Sequence, residues 1–331
     1  MTQASEVYVL GAGFSKAVHH RMPLLADLSV AVSEQLTDEM PTLPRAIGGD
    51  LETALTYLGA SQPWQGEVEA LRNRALYLRI TEVLRDELES RSRDALASGS
   101  PVWLRKLVRH WARTQAIVIT LNYDCLIERT YKEAVRVTAG QPGDNYVHQG
   151  QLYVIPLPAL VTLGSGMLGI DRTQAFRLVK LHGSLSWWYS GSSTFFGETI
   201  YDGGIAAKPD ATHGKVPFVV PPTAGKNSFL ANELVHQQWH YAFTSLGEAP
   251  RVTVIGYSLP ETDELMRYLL ALTSEGSSMT VVDPSPAVHQ RYAALLPEAP
   301  MTNVECGAES WALESLRYEP DEPLELRVIG Y

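Results

Sequence analysis

The sequence predicts an α/β protein built on a Rossmann-like, doubly wound parallel sheet of about six strands. Three observations predict it. Short apolar runs recur along the chain, each the length of a buried parallel strand. Segments with helical spacing of apolar residues alternate with them, as crossovers between parallel strands require. Glycine or polar motifs stand at the carboxyl ends of five runs: Gly11–Ser15, Asn122–Asp124, His182–Ser184, Gly256–Ser258 and Asp283. In a parallel sheet those five ends share one edge, where ligands bind.

The first run, Val7–Leu10, stops at Gly11-Ala12-Gly13, and Phe14 to His20 suit a helix start. A strand, a glycine turn and a helix N-terminus form an anion site, because free N–H groups and the helix dipole face one point. Glycines also serve plain tight turns. A dehydrogenase fingerprint is excluded: Lys16 and Ala17 stand where a third glycine is needed, and Pro23–Leu36 has helical period where a second strand is needed. A P-loop is excluded because Lys16 is followed by Ala17.

A long helical tract follows, over Asp50–Ala60, Glu67–Ala97 and Val102–Arg113, entered through the polar link Thr37–Asp50. Leu71, Leu78, Val83, Leu84 and Leu88 mark an apolar stripe for core packing or a helical interface. The second strand is Ala116–Thr120, followed by Leu121-Asn122-Tyr123-Asp124 and a helix over Cys125–Val137. Thr138–Gln174, rich in Gly and Pro, reads as an irregular insertion with some β content. The third strand is Phe176–Leu181, with hairpin strands expected near Thr199–Tyr201 and Pro217–Val220. Then come a helix over Phe229–Leu246, strands Arg251–Ile255, Met279–Val282 and Thr302–Cys306, and helices Pro286–Leu296 and Glu309–Leu316. Pro260 is placed in a helix's first turn. One domain spans 1–331. Its sheet core is 1–36, 114–137, 175–190 and 228–331, with a helical insertion at 37–113 and the irregular one at 138–174.

The 331 residues are 45% apolar, enough for a sizeable core. The net charge of −10 disfavours a broad nucleic-acid or anionic-membrane surface. Two cysteines, Cys125 and Cys306, cannot build a four-cysteine zinc module, and their apolar contexts read as buried free thiols. His236 and His240 are four apart but lack the glutamate of a metalloprotease helix, so no metal is expected. With neither a basic, apolar leader nor a membrane-length apolar run, the expected location is the cytoplasm.

Several of these residues have an ordinary reading beside a functional one. Asn122 suits a turn, and Asp124 can cap the following helix. Ser258 can cap a helix, and Asp283 before Pro284 can be a turn residue. His182 can accept a proton near neutral pH, or be a satisfied histidine at a strand end. Trp187 and Trp188 read as wall aromatics.

Taken together, G-A-G-F-S at Gly11–Ser15, T-L-N-Y-D at Thr120–Asp124, K-L-H-G-S at Lys180–Ser184, I-G-Y-S-L at Ile255–Leu259 and V-V-D-P at Val281–Pro284 resemble the motifs of the sirtuin-like family, in order and in strand context. The chain departs from the deacylases: it has no zinc module, and R-M-P-L-L-A at Arg21–Ala26 stands in place of G-I-P-D-F-R. It is more similar to the zinc-free bacterial branch, whose members in antiphage defence hydrolyse NAD. The resemblance implies that NAD is the substrate, with Asn122 positioning the ribose and water, His182 as general base, and Asp124 contacting the nicotinamide amide. It implies that Gly11, Ala12, Gly13, Phe14 and Ser15 take the pyrophosphate, and Gly256, Tyr257, Ser258 and Asp283 the adenosine. The expected activity is cleavage to nicotinamide and ADP-ribose. The alternatives are a protein deacylase or ADP-ribosyltransferase, and a non-catalytic NAD or ADP-ribose sensor. A homo-oligomer through the helical insertion is expected, and so is a regulatory or trigger protein encoded nearby, since free NAD hydrolysis would harm the cell.

Overall fold

The computed structural model of the chain describes residues 6–38, 43, 45–49, 51–95, 97, 99–137, 152–155, 157, 169–170, 175–189, 199–203, 215–220, 232–274, 276–320, 322–326 and 328–329. The strands are β1 (Val7–Leu10), β2 (Ile117–Thr120), β3 (Val135–Val137), β4 (Gly169–Ile170), β5 (Arg177–Lys180), β6 (Gly183–Tyr189), β7 (Ile200–Asp202), β8 (Val216–Val219), β9 (Arg251–Ile255), β10 (Ser278–Val282), β11 (Met301–Val304), β12 (Leu324–Leu326) and β13 (Val328–Ile329). The helices are α1 (Ala12–Val18), α2 (Leu25–Gln35), α3 (Arg45–Gly48), α4 (Leu51–Gly59), α5 (Glu67–Ala95), α6 (Val102–Thr114), α7 (Leu126–Ala134), α8 (Glu233–Glu248), α9 (Glu264–Thr273), α10 (Pro286–Leu295) and α11 (Ala308–Ser315).

Six strands form one sheet in the order β11-β10-β9-β1-β2-β5. Every neighbouring pair in it is parallel. The six are those the apolar runs predict: Val7–Leu10 and Arg251–Ile255 have the predicted bounds, and the other four differ by one or two residues at their ends. Starting from β1 the chain steps outward to β2 and β5, returns to β9 on the other side of β1, and steps outward again to β10 and β11. The strand order therefore reverses between β1 and β9, which is where open α/β sheets hold their ligands. Leu10 is in register with Thr120 and Ile255, Thr120 with Lys180, and Ile255 with Val282. Gly11, Leu121, Leu181, Gly256 and Asp283 thus leave the sheet at one level.

Alternate residues of β1 face opposite cores. Tyr8 and Leu10 pack with α1, α6, α7 and α11, while Val7 and Val9 pack with α8, α9 and α10. Helices cover both faces, so the central strands β1 (VYVL) and β2 (IVIT) are buried at every position. A third cluster joins α2, α4 and α5 through Leu28, Val32, Leu55, Leu58, Ile80 and Leu84.

This packing moves the boundaries of the helical insertion. Helix α2 belongs with α4 and α5 and not with the sheet. Helix α6 belongs to the sheet: Trp103, Leu107, Val108 and Trp111 are buried there, with the Trp111 ring 5.4 Å from Tyr8 and 5.6 Å from Phe176. The insertion is thus the unit from α2 to α5, and the spacing of apolar residues could not say which neighbour each helix covers. The predicted stripe on α5 divides as well. Val83, Leu84 and Leu88 are buried, but Leu71 and Leu78 are 64% and 54% exposed. At 100° per residue, Val68, Leu71 and Leu78 fall within about 80° of arc, opposite Ile80.

The expected hairpin strands are β7 and β8. Both pair antiparallel with β6, which starts at Gly183 and was not foreseen as a strand. Pairs β3–β12 and β4–β13 are also additions. Of the irregular insertion, Leu152–Val154 runs beside Leu178 at the sheet edge; most of 138–174 lies outside the described residues. Cys125 is buried as expected, but Cys306 is only half-buried, and both are free thiols. Among the described residues no helix is long and apolar enough to cross a membrane.

A polar clamp ties β1 to the C-terminal turn. His110 Nδ1 lies 2.5 Å from Glu319 Oε1, and His110 Nε2 is 3.6 Å from Glu6 Oε2, an ion-pair distance. Glu6 also accepts from Tyr8 Oη at 2.7 Å and pairs with Arg251 at 2.8 Å. His110, Tyr8 and Arg251 hold the Glu6 carboxyl down to about 2 against the opposing effect of burial. For His110, burial works downward, but the two glutamates outweigh it and its pKa is raised. Glu6 therefore stabilises the fold above the ordinary glutamate value of about 4.3 and loses that contribution as the pH falls toward its native value. His110 stabilises below about 6.5 and loses its contribution as the pH rises through its raised value. Denaturant midpoints should show His110→Ala costing more at about pH 5.5 than at about pH 9. An equal cost at both would remove the charge from the clamp.

Candidate active site

The loops that follow β1 and β9 touch. Gly11 N–H donates to Ile255 O at 3.2 Å and Gly13 N–H to Gly256 O at 2.8 Å. A Cβ on Gly11 would stand 2.5 Å from Tyr257 Cα, and one on Gly13 would stand 2.8 Å from Gly256 O. Gly256 has φ +61°, and a Cβ there would overlap Phe14 N. These three glycines are required by the approach of two backbones. The expectation that Gly11 and Gly13 both offer free N–H groups to a phosphate is corrected, because both are bonded to carbonyls. Phe14 N–H donates to Gly11 O, and its ring is buried against Trp103 and Trp111. Ala12 opens α1.

Ser15 enters through its side chain. Its buried hydroxyl donates to Asp124 Oδ2 at 2.6 Å and accepts from Asn122 Nδ2 at 2.9 Å. Asn122 Nδ2 also donates to Gly11 O at 2.8 Å. Both amide hydrogens are therefore committed. The opposite orientation of the amide would set its oxygen against the Gly11 carbonyl, so the network fixes Asn122 Oδ1 as the atom free of that pairing, an acceptor only. Asp124 accepts again at Oδ1 from Leu126 N–H at 3.1 Å, a turn bond made from the residue before the Cys125 N-cap of α7, so it is not itself the cap. Both of its oxygens are thus engaged within the protein. Burial raises its pKa, opposed by Lys180, Ser15 and the Leu126 N–H.

His182 stands two residues beyond Lys180, and Asn122 two beyond Thr120, its register partner on the adjacent strand. The two leave neighbouring strands at the same edge. His182 is buried between the rings of Tyr123 and Trp239, each with its centroid 6.2 Å away. Its carbonyl accepts from Val220 N–H at 2.8 Å. Tyr123 Oη donates to Val220 O at 2.6 Å, while the Tyr123 carbonyl accepts from Leu185 N–H at 2.9 Å. Tyr123 and Leu185 also pack against the core of the α2–α5 unit, which therefore sits over this edge. An open cleft of about 350 Å³, lined by Ile47, Glu52, Thr53, Thr56, Tyr57, Gln62 and Thr262, lies between that unit and the turn after β9.

The remaining predicted residues divide. Tyr257 is buried, donating through Oη to Asp263 at 2.8 Å and accepting at its carbonyl from Tyr292. Ser258 is exposed, with its carbonyl held by Arg291. It is not a helix cap: α9 begins at Glu264 with Asp263 at its N-cap, and Pro260 lies in the preceding turn rather than in the helix. Asp283 is half-buried. Its Oδ1 accepts from Ser285 N–H at 2.9 Å, the local turn that an Asp in this position makes.

One group escaped the sequence reading. Lys180 and Glu128 form an ion pair at 3.0 Å, each side chain 1% exposed. Lys180 Nζ also donates to the Asp124 carbonyl at 2.6 Å, and Glu128 accepts from Tyr153 Oη at 3.1 Å. Ser184 is fully buried, in contact with Cys125 and Ser186. The available signal was a lysine within the apolar run F-R-L-V-K-L, which must be paired if that run is buried.

No family model and no curated protein matches the chain. Among solved structures it is similar to one described as a Sir2 homolog–NAD complex, with 14% identity, a TM-score of 0.47, and coverage of 95% of this chain and 88% of that one. A structure described under "Structural Basis for the Mechanism and Regulation of Sir2 Enzymes" has 13% identity, a TM-score of 0.45, and coverage of 96% and 92%. Another, "The Structural basis of Sirtuin Substrate Affinity", has 12% identity, a TM-score of 0.45, and coverage of 95% and 94%. Strand order and register, not these distant likenesses, define the fold.

Ser15→Ala removes the acceptor of Asn122 and the donor to a buried carboxylate. It should lower stability by about 1–3 kcal/mol in denaturant titrations. A neutral result would mean that water replaces the hydroxyl at no cost.

Proposed function

We propose that the chain hydrolyses NAD at the bond between nicotinamide and ribose, releasing nicotinamide and ADP-ribose. One observation carries this reading. Adjacent parallel strands deliver Asn122, with its amide orientation fixed by Gly11 and Ser15, and His182 to one edge beside the sheet's reversal. The resemblance of T-L-N-Y-D and K-L-H-G-S to sirtuin-like motifs supports it.

Nicotinamide leaves a cationic centre, so its departure needs little acid catalysis and passes through an oxocarbenium-like state. The protein has to orient the ribose, steady the developing charge and place a water. Asn122 Oδ1, as an acceptor, orients a ribose hydroxyl or the water. His182 takes the proton that this hydroxyl or water gives up. Asp124 keeps Ser15, and through it Asn122, in place, and faces the nicotinamide amide. The loops Gly11–Ser15 and Gly256–Ser258, with Asp283, hold the pyrophosphate and adenosine. Given the internal bonds of Gly11 and Gly13, the pyrophosphate is met by the remaining polar groups of the loop.

In this reading the protein acts in the cytoplasm in antiphage defence by depleting NAD, under the control of a trigger protein encoded nearby. It assembles with copies of itself through Val68, Leu71 and Leu78 on α5. Light scattering at micromolar concentration should report an oligomer that Leu71→Glu/Leu78→Glu disperses; a wild-type monomer would refute the assembly.

The chemistry is tested by chromatography of NAD incubated with the protein, its trigger supplied, and no acylated peptide. Nicotinamide and ADP-ribose should accumulate. His182→Ala and Asn122→Ala should each lower turnover by roughly a hundredfold or more while calorimetry still detects NAD binding. Turnover only with an acylated peptide would instead assign a deacylase. Binding without turnover under any condition would assign a sensor.

A further inference from the structure

The segment from Leu121 to Cys125 is neither strand nor helix, yet it carries Asn122 and Asp124. It needs anchors from elsewhere. Leu121 N–H is held by Leu10 O and Asn122 N–H by Thr120 Oγ1. At its far end the Asp124 carbonyl accepts from Lys180 Nζ at 2.6 Å, and that ammonium is neutralised by Glu128 at 3.0 Å. Lys180 and Glu128 are fully buried, and Glu128 is steadied by Tyr153, which in turn reaches Ser186.

Burial alone would lower the Lys180 pKa, but the charges of Glu128, Cys125 and Asp124 outweigh it and the pKa is raised. The amine is thus protonated and has no lone pair with which to act as a nucleophile. Stability gives no reason for the pair either, since apolar residues of similar volume are often as stable in such a place. What an apolar pair cannot do is donate a hydrogen bond to the Asp124 carbonyl.

We propose that Lys180 is a positioning residue, whose buried ammonium clamps the Asp124 carbonyl and so fixes the Asn122–Asp124 segment against Ser15. Its turnover readout rests on the NAD-hydrolase reading; its structural readout does not. The experiment compares wild type, Lys180→Met and Lys180→Met/Glu128→Leu by thermal melting, by amide hydrogen exchange and by nicotinamide release.

Lys180→Met strands a buried carboxylate and should melt lower by on the order of 10 °C. The double variant should recover most of that melting temperature. It should still exchange the Leu126 amide, which is bonded to Asp124 Oδ1, at least about tenfold faster than wild type, with sheet amides unchanged. Its kcat should fall about tenfold or more with little change in KM, because positioning and not binding is lost.

A double variant with wild-type exchange at Leu126 would overturn the proposal, whatever its activity. Wild-type protein that releases no nicotinamide would defeat the functional reading, while the exchange data still decide this one. Should the double variant not fold, Lys180→Met is compared with Glu128→Gln below both melting temperatures. Glu128→Gln leaves an N–H donor of Lys180, charged or neutral, on the carbonyl and should keep the Leu126 amide protected; equal loss in both would overturn the clamp.

Discussion

Two backbones in contact without side chains between them set the geometry of this molecule. Gly11 and Gly13 lie against Gly256 and Tyr257 where the strand order reverses. This approach joins the two halves of the sheet and fixes where α1 begins. The start of α1 sets the height of Ser15, and Ser15 binds the side chains that follow β2. From there the chain of polar contacts descends through Asp124 to Lys180 and Glu128. A geometry fixed at the glycines is thus handed on by hydrogen bonds to residues more than a hundred positions away in sequence.

The parallel sheet was legible because its signals are local and redundant. An apolar run such as Val7–Leu10, ended by Gly11, identifies itself without reference to the rest of the chain. The common edge followed from topology, since parallel strands end on the same side. The glycines at 11, 13 and 256 were also visible, but their cause was not. Glycine for a ligand and glycine for another loop look alike until the other loop is seen. Helical packing was hidden for a related reason. Apolar spacing in α2 and α6 shows that each has a buried face and not what it is buried against. Strand β6 was missed because its signal is mixed with the His182-Gly183-Ser184 motif and the tryptophans.

Some candidate residues carry more than one structural task. Asp124 receives Ser15 at one oxygen and holds the first N–H of α7 at the other. Asn122 is the clearest case. Its donors are consumed by the fold, and that consumption is what gives its remaining oxygen a fixed chemical character.

The joint between the two sheets is short. Strand β5 ends at Lys180 and β6 begins at Gly183, in a left-handed conformation with φ +81°. Leu181 and His182 alone span the interval. The small sheet is therefore coupled to the large one as a lever to its fulcrum, and the imidazole is carried on the pivot. A chain engineer would find the same joint unforgiving: a residue added there slips β6 by one position and turns its faces over, placing Trp187 where Trp188 now stands, and a residue removed does the reverse.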